Sequence, residues 1–146
     1  MRILGVDYGD RHIGLALSDP LGMIAQPLET YTLKEKKADN AAFFRTVVQT
    51  HRIERIVLGL PLRMDGTPGS RADKTRTFAR WLEQSTGCKV VFWDERLTTR
   101  QATAIMQEQN VRVENRRSVV NQISAALILQ AYLDGRASDA PDTRSD

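Results

Sequence analysis

Asp7 and Glu95 are the two acidic residues of this chain best placed to do chemistry. Asp7 follows the apolar run Ile3-Leu4-Gly5-Val6, and Glu95 comes just after Val90-Val91-Phe92-Trp93. Such runs read as buried strands, so each carboxylate is held where a strand meets a loop. Ligands of open α/β sheets bind beyond the C-terminal ends of parallel strands. In a mixed sheet the two strands can be neighbours, and two carboxylates that close repel each other unless a cation lies between them. Mg²⁺ favours a few carboxylates with water and phosphate oxygens, and paired ions of this kind promote phosphodiester cleavage. The same residues also fit purely structural uses. Asp7 can cap a turn, and Glu95 can pair with Arg96 or another arginine.

Five cationic residues, Arg11, Arg63, Arg71, Lys74 and Arg96, fall in or beside the loops at these strand ends. A guanidinium offers phosphate two parallel hydrogen bonds. Arg71 and Lys74 also fall in a first helical turn, whose free N–H groups attract anions. Each alone is an ordinary solvated charge; grouped at one edge they suit a nucleic-acid backbone. The polar segment from Asn110 to Arg117 offers three more arginines that could close over a bound strand. Tyr8 can stack on a base or cover the sheet edge. His12 and His51 lack ligand spacing, and Trp81 and Trp93 sit in apolar patterns that suit the core. Gly9 suits a turn with positive φ, whereas Gly5 and Gly14 permit close packing.

The elements that must position these groups follow from periodicity and turn signals. Arg2–Tyr8, His12–Ser18 and Met23–Pro27, extending toward Thr32, read as an antiparallel three-strand meander. Thr32-Leu33-Lys34-Glu35 resembles a capping box opening a helix that runs to His51. Arg55–Leu60 reads as a strand covered on both faces. Ser70–Gln84 reads as a helix ended by Gly87, and Lys89–Trp93 as another buried strand. Thr98–Gln101 offers a second capping box for a helix to about Gln109, and Ser118 a cap for a last helix, Val119–Leu133. The order β-β-β-α-β-α-β-α-α predicts an α/β fold: a mixed sheet with helices on both faces.

The chain has 146 residues, enough for one core. Residues 1–133 read as one domain and 134–146 as a polar tail. With 21 Lys and Arg against 18 Asp and Glu, the net charge is +3, and the tail takes more of the acids than of the bases. A basic body is compatible with a polyanionic partner. The longest apolar run, Ala125–Leu129, is far too short to span a membrane. Cys88 is the only cysteine, so no internal disulfide forms, and cytoplasm is the expected compartment.

Four segments in order carry a resemblance. They are Gly5-Val6-Asp7-Tyr8-Gly9 with Ile13-Gly14-Leu15-Ala16; Gly59-Leu60-Pro61-Leu62 with Met64-Asp65-Gly66; Asp94-Glu95-Arg96-Leu97-Thr98-Thr99; and Ser124-Ala125-Ala126-Leu127-Ile128-Leu129-Gln130. Together they resemble the YqgF family, also called RuvX, a family of pre-16S rRNA nucleases and Holliday-junction-resolvase-like proteins. The resemblance covers roughly residues 1–133. It implies a ribonuclease-H-like fold, a divalent metal (Mg²⁺ or Mn²⁺), and hydrolysis of phosphodiester bonds in structured RNA, such as precursor rRNA, or in branched DNA. It implies Asp7 and Glu95 as catalytic metal ligands.

The family's third acid, usually Asp at the start of the last helix, corresponds here to Asn121. Asn121 shares a helical stripe with Ile128 and Tyr132, so it should face the sheet from the helix's first turn. An amide carbonyl can reach a metal but lacks the carboxylate's charge and cannot act as a base. Asp94 and Glu114 are poor substitutes. Asp94 should point away from Glu95, and Glu114 falls in a loop.

Three functions compete on this reading. The first is a metal-dependent nuclease. The second is a nucleic-acid-binding or ribosome-assembly factor with weakened catalysis, motivated by Asn121. The third is an ATPase fragment, since Asp7-Tyr8-Gly9 also resembles the phosphate loop of actin-like ATPases, although those need two domains. A homodimer would suit a symmetric DNA junction, and a monomer a single rRNA end.

Overall fold

A computed structural model of the chain describes residues 1–63, 65–94 and 113–138, with the last helix's side chains described over 120–136. The elements are β1 (Arg2–Asp7), β2 (His12–Ser18), β3 (Ala25–Thr32), α1 (Lys37–His51), β4 (Ile53–Leu60), α2 (Ser70–Thr86), β5 (Lys89–Asp94) and α3 (Val113–Ser138). The five strands form one sheet in the order β3-β2-β1-β4-β5. β1 pairs antiparallel with β2 and β2 with β3, whereas β4 lies parallel to β1 and β5 parallel to β4. This is the mixed sheet that the element order predicts. Among the described residues, no helix is long and apolar enough to cross a membrane.

Strand alternation sorts the apolar residues onto two faces. Leu4, Val6, Ile13, Leu15, Ile56 and Leu58 join Phe44 and Val47 of α1 and Phe78 and Leu82 of α2 in one core. Ile3, Ala16 and Val57 meet Ala125, Ile128, Leu129 and Tyr132 of α3 in the other. The helices therefore cover both faces, and every β1 residue from Ile3 to Val6 is buried. The stripe of Ile128 and Tyr132 faces the sheet, as the helical spacing predicts.

α3 lies very close to the sheet, and two glycines permit it. A Cβ on Gly5 would sit 2.7 Å from Leu129 Cβ and 2.9 Å from the Ala125 carbonyl oxygen. A Cβ on Gly14 would fall inside the radius of the Asn121 backbone oxygen. Helix backbone cannot swing aside as a flexible side chain can. We expect Gly14→Ala to lower stability by about 3 kcal/mol, the upper range for overpacking, and the melting temperature by roughly 10 °C. Unchanged thermal unfolding of the variant would show that α3 does not sit on Gly14.

Several local expectations are corrected. The Thr32–Glu35 capping box does not form: Thr32 ends β3, and Lys36 at the N-cap of α1 makes no side-chain cap bond. Asn40 organises this connection instead. Its Oδ1 accepts from the Tyr31 hydroxyl at 2.7 Å and the Lys34 N–H at 2.8 Å, while its Nδ2 donates to the Lys34 carbonyl at 3.0 Å. These bonds hold the chain extended through Lys34, beyond where a cap at Thr32 would have turned it.

Gly9 does not adopt positive φ; Gly22, Gly66 and Gly87 do. A Cβ on Gly9 would meet the His12 carbonyl oxygen at 2.5 Å, so close approach is what requires glycine there. Gly87 does end α2 in the left-handed conformation, donating its N–H to the Glu83 carbonyl at 2.8 Å.

The last helix starts at Val113, not after Ser118. The polar stretch Glu114-Asn115-Arg116-Arg117-Ser118 contains no glycine or proline and continues the helix. Asn121 is thus more than two turns inside α3 instead of in its first turn, and Glu114 is helical instead of in a loop. α3 also runs five residues past the expected end at Leu133, to Ser138. The expected Thr98–Gln101 capping box and its helix lie outside the described residues.

Candidate active site at the sheet edge

The parallel strands β1, β4 and β5 end together. Val6 is in register with Leu58, and Leu58 with Phe92, so one row crosses all three strands near their C-terminal ends. Asp7, Leu60 and Asp94 close the strands along that edge. β4 lies between β1 and β5, so the expectation that β1 and β5 can be neighbours is corrected. The short run Ile56–Leu60 takes the central place because it is buried on both faces. At one strand spacing per step, the ends of β1 and β5 are about 10 Å apart.

Asp7 alternates with Ile3 and Gly5 and so points to the α3 face. Its register partner across β1 and β2 is Gly14, the glycine against which Asn121 packs. The Asn121 backbone thus lies against the strand position that pairs with Asp7. Among the described residues no group hydrogen-bonds the Asp7 carboxylate. Burial pushes its pKa up to about 6, against the pull of the Arg71 guanidinium, which lowers it.

Glu95 and Arg96 lie outside the described residues. Asp94 is exposed, and alternation from Trp93 turns it away from the α3 face. Among the described residues no group of three or more acidic, histidine or cysteine side chains gathers.

The cations divide by what they touch. Arg71 Nη1 donates to Asp10 Oδ1 at 3.0 Å, and Nη2 to the Tyr8 carbonyl at 3.0 Å. Lys74 Nζ lies 3.9 Å from the same Asp10 oxygen. Arg71 therefore ties the start of α2 to the loop that follows Asp7, a contact between residues 61 apart that no local pattern announces. Arg63 lies over Gly69, where a Cβ would sit 2.9 Å from its Nε. Arg11 is exposed, and its carbonyl accepts from the Leu33 N–H at 2.8 Å.

Tyr8 stacks on Phe78 at 4.4 Å between ring centroids, so it covers the sheet edge. His12 Nδ1 and Thr32 Oγ1 are 3.2 Å apart across β2 and β3, a structural pairing. Trp81 and Trp93 are half-buried beside the two cores, packed on Phe78 and Tyr132 respectively.

A mixed sheet of this order, with a carboxylate closing its first strand and the last helix crossing over it, defines a ribonuclease-H-like fold of the resolvase type. RuvC from T. thermophilus, solved in complex with a Holliday junction substrate, aligns with TM-score 0.57 and 15% identity over 94% of this chain and 96% of that one. Fowlpox virus resolvase, solved with Holliday junction DNA, gives TM-score 0.53 and 13% identity over 92% of this chain and 98% of that one. At these identities the likeness concerns the fold.

The chain belongs to the RuvX family. The family model, described as Holliday junction resolvase, matches residues 1–135. Relatives named "Putative pre-16S rRNA nuclease" include one from Koribacter versatilis, 44% identical over 99% of this chain and 94% of its own length. Another, from Myxococcus xanthus, is 47% identical over 98% of this chain and 93% of its own length.

Proposed function

We propose that this protein is a metal-dependent nuclease of the cytoplasm that hydrolyses phosphodiester bonds in precursor ribosomal RNA. One observation carries the reading. A half-buried carboxylate with no hydrogen-bond partner among the described residues stands at the C-terminal edge of a parallel strand, where open sheets bind ligands. The relatives' name supplies the substrate class.

The residues fit a hard divalent cation. Asp7 offers a half-buried anionic oxygen, and Asn121, whose backbone packs on Gly14 beside it, would offer its amide carbonyl from the facing helix. Glu95 would complete the set. A bound Mg²⁺ or Mn²⁺ would supply charge neutralisation at the scissile phosphate and a more acidic water.

The protein's own groups do the rest. Asp7 must be ionised to act, and Arg71 favours that form. By anchoring Asp10 and the Tyr8 carbonyl, Arg71 also fixes the loop beside the carboxylate. Arg11, Arg63, Lys74 and Arg96 would contact the backbone phosphates. Arg71 would do so only by exchanging its bond to Asp10.

A second reading rests on Asn121 occupying the place beside Asp7. With an amide there, the chain would bind nucleic acid in ribosome assembly with catalysis reduced. Cleavage of precursor rRNA and of a four-way DNA junction, side by side with Mg²⁺ and Mn²⁺, separates these functions. Metal-dependent cutting of rRNA alone is expected. Cutting of the junction alone would make the protein a resolvase. Binding without cutting would favour the assembly role.

A further inference from the structure

A cavity lies on the α1/α2 side of the sheet, the side opposite the one Asp7 faces. Its volume is about 700 Å³, and it opens between the β1–β2 loop, the start of α1 and the side of α2. Its wall includes Tyr8, Phe78 and Trp81. Tyr8 stacks on Phe78, and Phe78 on Trp81 at 5.5 Å, making a continuous aromatic surface. Arg11, Lys34, Lys37 and Lys74 also line it. Among the described residues Arg11, Lys34 and Lys37 make no ion pair, while Asp10 is shared by Arg71 and Lys74. Glu35 and Asp73 are the remaining acids of the lining, leaving cations in excess.

We propose that this groove binds a single-stranded RNA segment flanking the scissile bond, bases against the aromatic wall and phosphates along Arg11, Lys34 and Lys37. Aromatic rings beside a basic track are the common means of holding single strands, because every base has a π-face. Tyr8 in the wall of the groove directly follows Asp7 in the chain. One faces α3 and the other Phe78, so a strand passing the end of β1 meets both. The inference deepens the nuclease reading and rests on it.

The test uses the full chain in EDTA, so that nothing is cut. Two RNAs are compared, a blunt duplex and the same duplex with an unpaired extension. The extended RNA is expected to bind the native chain about tenfold more tightly, the scale of one stacked base with its phosphate contacts. Lys34→Glu/Lys37→Glu, a change of exposed side chains, should remove that advantage and leave blunt-duplex affinity unchanged. In a Trp93→Phe background, Trp81 is the only tryptophan, and its fluorescence should be quenched by the extended RNA alone.

Equal affinity for both RNAs, or equal loss of both in the double variant, overturns the groove assignment while leaving the nuclease reading standing. Quenching by adenosine monophosphate but not by extended RNA would assign the groove to a free nucleotide and also overturn it. Failure to bind any RNA in EDTA and equally with Ca²⁺ present would overturn both.

Discussion

Asp7→Asn is expected to leave a protein that melts higher than the native chain near neutral pH and no longer cuts. The loss of cleavage should be on the order of a thousandfold, as for removal of a principal catalytic group. The gain in stability follows from the raised pKa. Folding moves this carboxyl from 3.8 to about 6, because burial disfavours its charged form. The folded state therefore holds the proton more tightly than the unfolded one. The contribution is fully present below 3.8 and is lost as pH rises through about 6. Above that the buried charge costs at most about 3 kcal/mol. Asparagine keeps the shape and removes the charge, so the variant should melt several degrees higher at pH 8. The difference should vanish at pH 4. Mg²⁺ should raise the melting temperature of the native chain and leave that of the variant unmoved. Retained cleavage, or a variant melting lower at pH 8, would remove Asp7 from the centre of the site.

That carboxylate was legible in the sequence because an apolar run and a glycine turn bracket it, and both signals are local. The sheet's mixture of directions was legible for the same reason: short turns impose the antiparallel meander, and the intervening helices make the later pairs parallel. What the sequence did not reveal depends on contacts between distant residues. Nothing near Asp10 announces that Arg71 will reach it, and this bond takes an expected phosphate-binding arginine into the scaffold. The order β1-β4-β5 is a tertiary choice made by burial of Ile56–Leu60, so the spacing of the two strand ends could not be read from motifs. Ser118 looked like a cap because serine favours caps, but nothing in Glu114–Arg117 breaks a helix, and the helix continues through it. The aromatic groove was hidden because Tyr8, Phe78 and Trp81 converge from different elements, and Lys34 and Lys37 join them only across the fold.

Asn121→Asp is expected to act in the opposite sense to Asp7→Asn. The residue's backbone lies against Gly14, and Gly14 pairs with Asp7, so a carboxylate there adds a second charge beside the first. Without metal, the two repel each other, and each disfavours ionisation of its neighbour. The variant should melt a few degrees lower than the native chain in EDTA at pH 8. With metal, the same pair gains a ligand whose charge the amide lacks. Affinity for Mn²⁺ should rise by about tenfold or more, the lower range even for changes to outer-shell partners of a metal. Isothermal titration in the presence of non-cleavable RNA measures that rise directly, and thermal unfolding should show Mn²⁺ restoring the stability lost in EDTA. Cleavage then sorts the two functional readings. If the native chain already cuts and the variant cuts faster, Asn121 is a weakened third ligand of a working nuclease. If only the variant cuts, the native protein is a binding factor that keeps the scaffold of an enzyme. Unchanged metal affinity together with unchanged stability in EDTA would place the Asn121 side chain away from Asp7 and remove it from the site.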